Sequence, residues 1–125
     1  MTTEKEIWQG VLAKLEAYEP KVLIGHTYAM VYDGTECLCA IGVCLKPEEL
    51  SELKALNNGF HLEEPIDRLI CELEILPDYS EEEAAIFRTI QRYNDACVVA
   101  GGREGLEERY KKVVDYVRDK VAQLG

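Results

Sequence analysis

Three of the five cysteines, Cys37, Cys39 and Cys44, fall inside the stretch ECLCAIGVC at positions 36–44. Thiols set so close together serve as metal ligands, disulfide partners, nucleophiles or packing residues. Structural zinc sites present two separate pairs of Cys or His, each pair a few residues apart. Here the spacing is C-x-C-x4-C, and Cys71 and Cys97 stand alone, so the second pair is missing and no metal is expected. An odd number of cysteines also fails to close a disulfide framework. If residues 36–39 are extended, Cys37 and Cys39 share one face and Leu38 takes the other. Free cysteine is among the most often buried residue types, which makes packing the favoured reading.

The sharper alternative is a thiol-dependent enzyme built on Cys39. That residue stands where a strand can give way to a helix, and a helix N-terminus lowers a thiol pKa. Catalysis would need a base, for which His26 and His61 are the only histidines, and Asp95 to orient it. No C-G-[SA]-C-[WY] or Q-A-C-x-G signature surrounds Cys39. HExxH, GxSxG and EF-hand patterns are absent too.

Two further stretches could bind something. In Tyr93-Asn94-Asp95-Ala96, Asn94 lies at helical spacing from Phe87 and Ile90, on the apolar stripe. A polar residue facing a core must find partners, at a cost of about 1–3 kcal/mol if it does not. The structural reading has Asn94 and Asp95 ending one helix and bonding the backbone of the following loop. The functional reading makes them a ligand or catalytic pair, and the structural one is favoured. Gly101-Gly102-Arg103 resembles a phosphate-cradling turn before a helix. However, no G-x-G-x-x-G or P-loop Lys-Ser/Thr accompanies it, and Glu104, Glu107 and Glu108 crowd the helix start. Arg88, Arg92 and Arg103 remain candidates for a small anion or nucleotide, and no cofactor is expected.

These residues need elements to hold them. Ile7, Val11, Leu12, Leu15 and Tyr18 predict an amphipathic helix over 3–19, opened by a Thr3/Glu6 capping box and closed by Pro20. Residues 22–38 favour strands, and Asp33-Gly34 signals a turn, so a hairpin is expected with strands near 27–32 and 35–38. From Cys39 to Leu45 the pattern fits a strand or a short helix. Further helices are expected over 47–57, 64–76, 81 to about 94, and about 104–124. Ser80 with Glu83 forms a second capping box. The expected fold is mainly α (α+β): about five helices around one core with a small hairpin, in a single domain over 1–125.

Charge narrows the partners. The net charge is -10, and residues 63–83 alone carry net -8. Nucleic acid and anionic membrane surfaces are disfavoured, because both need Lys and Arg to meet phosphate. A basic protein partner is compatible, with Glu72, Glu74, Glu81 and Glu82 as its contacts. Part of the block has a structural explanation, since Glu81, Glu82 and Glu83 sit where a helix dipole favours carboxylates. The longest uncharged run, Val22–Tyr32, is too short to span a bilayer, and MTTEKEIWQG lacks the features of a signal peptide. A cytoplasmic setting is therefore expected, with reduced thiols.

Cys39-Ala40-Ile41-Gly42-Val43, some fifty residues before Tyr93-Asn94-Asp95, resembles an uncharacterised family of small bacterial and phage proteins. Its members carry a Cys-Ala-x-Gly-[Ala/Val] segment and a [Trp/Leu]-Asn-Asp element, then a terminal helix. This chain has Tyr93 at the aromatic position and a longer loop, Cys97–Arg103, afterwards. The resemblance implies a shared fold, with Cys39, Gly42, Tyr93, Asn94 and Asp95 as a structural signature in which Asn94 or Asp95 caps a helix around Gly42. It also implies a phage-like source, hence a host cytoplasm. The leading expectation is a non-enzymatic interaction protein engaging a basic host protein that handles nucleic acid or serves defence.

Overall fold

The computed structural model describes residues 3–19, 21–24, 29–32, 35–44, 48 and 80–125. The helices expected over 47–57 and 64–76 lie outside the described residues, as do His26, His61, Glu72 and Glu74. What is described is mainly helical: α1 (Glu4–Ala17), α2 (Ala40–Cys44), α3 (Glu81–Ala96) and α4 (Gly102–Leu124). Two four-residue segments, β1 (Ala29–Tyr32) and β2 (Thr35–Leu38), pair antiparallel with Ala29 opposite Leu38 and Tyr32 opposite Thr35.

Helix α1 starts where Thr3, in extended conformation, accepts the Glu6 N–H at 3.2 Å. Half of the expected box forms, because the Glu6 carboxylate takes the Thr3 hydroxyl instead of its backbone N–H. Ile7, Trp8, Val11 and Leu15 make the buried stripe. The helix ends at Ala17 rather than residue 19, since Tyr18 is already extended. Pro20 adds to the stop, as a proline disfavours helical geometry in the residue before it, Glu19.

In α3 both halves of the capping box form: Ser80 Oγ accepts the Glu83 N–H at 3.1 Å, and Glu83 accepts the Ser80 N–H at 3.3 Å. Ala84, Phe87, Ile90, Gln91 and Asn94 make its buried stripe. Helix α4 buries Tyr110, Val113, Val114 and Val117. Valine is a poor helix former because its χ1 is restricted. Packing compensates, at roughly 1.5–3 kcal/mol per buried aliphatic side chain.

The three long helices share one core with the segment Val22–Ile24, whose residues are all nearly inaccessible. Helices α1 and α4 are antiparallel, since Trp8 meets Tyr116 and Leu15 meets Tyr110. The short α2 packs on α1 and α3. Leu23 donates its N–H to the Leu106 carbonyl at 3.1 Å, so the 22–24 segment is laced to α4 by backbone. Among the described residues, no helix is long and apolar enough to cross a membrane.

Candidate functional site

The ambiguous stretch after Cys39 is a helix, and Cys39 is its cap. The Cys39 carbonyl accepts the Val43 N–H at 3.1 Å, the first bond of α2. Its own sulfur accepts the Gly42 N–H at 3.4 Å, where a serine or aspartate oxygen would ordinarily stand. This corrects the expectation that Asn94 or Asp95 caps this helix. The sulfur is sequestered as well, Cys39 being 1% exposed. A nucleophile has to be reached by its substrate, so this geometry speaks for capping and packing.

Cys44 closes the same helix. Its thiol donates to the Ala40 carbonyl at 3.5 Å, and burial pushes its pKa up to about 12, against a partial downward pull from Lys14. It is a neutral thiol at physiological pH. Five residue steps of helix carry the chain from Cys39 to Cys44, an axial rise of about 7.5 Å, too long for a disulfide. Among the described residues, no group of three or more His, Cys, Asp or Glu could hold a metal ion.

Asn94 and Asp95 do not end α3, which runs on to Ala96. Asn94 is fully buried and sends its Nδ2 to the Ile24 carbonyl at 3.0 Å, seventy residues back along the chain, and to Asp95 Oδ1 at 3.1 Å. Gln91 Nε2 also donates to Asp95 Oδ1, at 2.8 Å. From α4, Arg109 reaches in with Nε to the Asn94 carbonyl at 3.2 Å and Nη1 to the Leu23 carbonyl at 3.3 Å. Together with the Leu23–Leu106 bond, these contacts clamp the 22–24 segment between the end of α3 and the start of α4. Among the described residues, Asn94 Oδ1 is left buried without a hydrogen-bond partner. Exchanging its amide O and N does not help, because two acceptors face Nδ2. The cluster latches the fold together.

Tyr93 turns the other way. It stacks on Tyr116 at 4.1 Å between ring centroids, and Trp8 meets Tyr116 edge-on at 6.2 Å. Burial raises the Tyr93 pKa, helped by the neighbouring Cys97. The motif residue thus joins α3 to α4 through aromatic contact, and Tyr116 carries the contact on to α1.

Two of the arginine candidates, Arg88 and Arg92, stand one turn apart on α3, and the third, Arg103, lies on α4. Arg103 pairs with Glu107 at 3.2 Å on α4, Arg88 is half-buried on α3, and Arg92 is exposed on α3. Beyond them, cationic and hydroxyl side chains hold the chain's own carbonyls. Lys14 donates to Cys44 O at the end of α2, Lys21 to Glu16 O and Tyr110 to Leu15 O at the end of α1, and Lys112 to Val98 O. Helix C-termini carry unpaired carbonyls and partial negative charge, so ammonium groups suit these positions. Several bases are thus tied to the chain's own backbone, while Glu81 and Glu82 stand exposed at the start of α3.

Two shallow concavities, of about 450 and 520 Å³, lie beside α4 and share Lys21, Tyr110 and Lys111. Their rims mix Arg103, Arg118, Glu16, Glu19, Glu107 and Asp115, largely in mutual ion pairs. Such a rim favours no particular charge of ligand.

Sequence reasoning missed the carbonyl-holding role of Arg109 and the close approach at Gly105. Arg109 lies beside the apolar stripe of α4 and looks like any solvated arginine. Gly105 is a helix residue where an added Cβ would fall 1.5 Å from the Ala100 carbonyl oxygen. Gln91 and Tyr110 left a signal, since each is a polar group at a stripe position and a buried one needs a partner.

No protein-family model, curated protein or solved structure matches the chain.

Proposed function

We propose that this chain is a non-enzymatic interaction protein of bacterial or phage type, whose acidic surface binds a basic host protein that handles nucleic acid or serves defence. The observation that carries this reading is the net -8 of residues 63–83. The far end of that block, Glu81 and Glu82, opens α3 in full exposure. The bases on Cys44, Glu16, Asn94 and Val98 carbonyls add support, because they are tied to backbone rather than to these carboxylates. Five helices round one core with a hairpin near residues 22–38, and the kinship suggested by the Cys39–Val43 and Tyr93–Asp95 motifs, belong to the same proposal. A thiol enzyme loses ground because Cys39 is sequestered, and an anion site because Arg103 is paired with Glu107 on α4, apart from Arg88 and Arg92 on α3.

The test is reversal of Glu72, Glu74, Glu81 and Glu82 to lysine. Binding to a defined Lys/Arg-rich peptide, and retention of host proteins in a pull-down, should both fall sharply and should weaken with salt in the wild type. Partners retained equally by the reversed variant would overturn the reading.

A further inference from the structure

Helix α3 presents a second face opposite its core stripe. Glu82, Ala85, Thr89, Arg92 and Ala96 are all exposed and recur at alternating intervals of three and four residues. That interval is the seam spacing by which one helix packs along another. The centre of the seam is small, which lets two helix axes approach closely. It also carries no unmet polar group, because the Thr89 hydroxyl donates to the Ala85 carbonyl at 3.1 Å within the helix. Charge is segregated along it: Glu82 and its neighbour Glu81 lie at the N-terminal end and Arg92 near the C-terminal end. None of these three carries an ion pair among the described residues, in contrast to Arg103, Arg118 and Lys112 on α4.

A seam with acid at one end, base at the other and small residues between is complementary to itself reversed. Laid antiparallel about a two-fold axis between Ala85 and Thr89, Glu82 faces Arg92 of a second copy and Arg92 faces its Glu82. Ala85 faces Thr89 in the same register, so every seam position from 82 to 92 meets a compatible one. Parallel pairing would set Glu82 on Glu82 and Arg92 on Arg92. Antiparallel pairing also sets each helix dipole against the opposite end of its neighbour.

We propose that the exposed face of α3 is a self-association surface, on which a second copy of this chain docks antiparallel through reciprocal Glu82–Arg92 pairs. This rests on the reading of the chain as an interaction protein and names a second copy as one partner. A surface limited to one helix pair falls below the roughly 800 Å² per partner of a stable complex, so the dimer exchanges quickly and grows with concentration. The contact is isologous, and two copies complete it.

Sedimentation velocity across a wide concentration range, at low and high salt, tests the proposal on the full chain. Wild type is expected to shift from monomer to dimer with concentration, less so at high salt. E82R and R92E should each weaken association by about tenfold, because each turns two attractive pairs repulsive. The charge-swapped double variant E82R/R92E should restore it, and an equimolar mixture of the two single variants should pair better than either alone. Helical circular dichroism spectra that match the wild type show that these surface changes leave the fold intact. A wild type that stays monomeric at every concentration overturns the proposal, and so does a double variant no stronger than its parents. Neither result bears on binding of a basic partner, which reversal of Glu72, Glu74 and Glu81 with Glu82 kept reads separately.

Discussion

Replacing Asn94 by alanine tests the latch directly. The substitution removes the donor that satisfies the Ile24 carbonyl, which belongs to a residue 2% exposed. A buried carbonyl left unpaired costs about 1–3 kcal/mol. Two effects temper this. Asp95 Oδ1 loses one donor but keeps Gln91 Nε2 at 2.8 Å. The orphaned Asn94 Oδ1 disappears too, returning part of its own desolvation penalty. The expected net loss is about 1–2 kcal/mol. With an unfolding entropy of about 2.1 cal/mol/K per residue over 125 residues, that lowers Tm by about 4–8 °C. The isosteric Asn94→Asp keeps the shape but turns an acceptor towards Ile24 O and Asp95 Oδ1. It should cost more than alanine at neutral pH, and the gap should narrow on acidification as the new carboxyl protonates. Melting followed by far-ultraviolet circular dichroism, with urea titration to extract ΔG, gives both numbers. An Asn94→Ala variant melting within about 1 °C of wild type, with Asn94→Asp no worse, would refute the latch.

Other expectations follow from the same geometry. Arg109→Lys keeps the charge but lacks the fork that spans two carbonyls, so it should cost about 1–2 kcal/mol in urea unfolding, close to Arg109→Met. Gly105→Ala drives a methyl group into the Ala100 carbonyl and should destabilise by about 1–3 kcal/mol. Gly10→Ala, in open space within α1, should stabilise by about 0.5–1 kcal/mol, and opposite signs in one melting experiment check the pair. The Cys44 thiol, with its pKa pushed up to about 12 from 9.0, stays protonated in the fold while the unfolded thiol ionises. Its contribution is therefore complete below pH 9 and is lost as pH rises towards 12, at up to about 1.4 kcal/mol per pH unit. Burial shifts Tyr93 and Cys97 in the same direction, so Cys44→Ala should flatten the alkaline decline without abolishing it. Iodoacetamide should leave Cys39 and Cys44 unlabelled in the native protein and modify both in urea, as read by peptide mass spectrometry.

Helices α1 and α3 were legible because each combines a side-chain cap with a periodic stripe, and α4 was legible by its stripe alone. Ser80, Glu83, Phe87 and Ile90 together specify both where α3 starts and which face it buries. The ends were harder to read. Asn94-Asp95 looks like a helix stop, since Asn and Asp commonly bond nearby backbone, yet here Asn94 bonds a carbonyl distant in sequence. Local pattern has no access to a partner supplied by tertiary folding. Gly101-Gly102 shows the same limit, for it reads as loop while Gly102, at φ 71°, already opens α4. Cys39 was legible as small and buried, and its role as cap acceptor was not, because sulfur is an uncommon choice for that position. Arg109 was invisible, as an arginine holding two carbonyls has the same letter as one in water.

The stacked pair Tyr93–Tyr116 with Trp8 at its edge has a consequence for observing this protein in solution. Trp8 is the lone tryptophan, so its emission is assigned without mutagenesis. Light absorbed by either tyrosine passes to the indole when the rings are this near, and the transfer fades steeply as they part. Because the three rings come from α1, α3 and α4, the share of tyrosine-sensitised tryptophan emission that Tyr93 and Tyr116 supply, out of seven tyrosines, reports the docking of these helices. Opening of any one helix, on a timescale too short for a melting curve, becomes a change in the colour of a single residue's light.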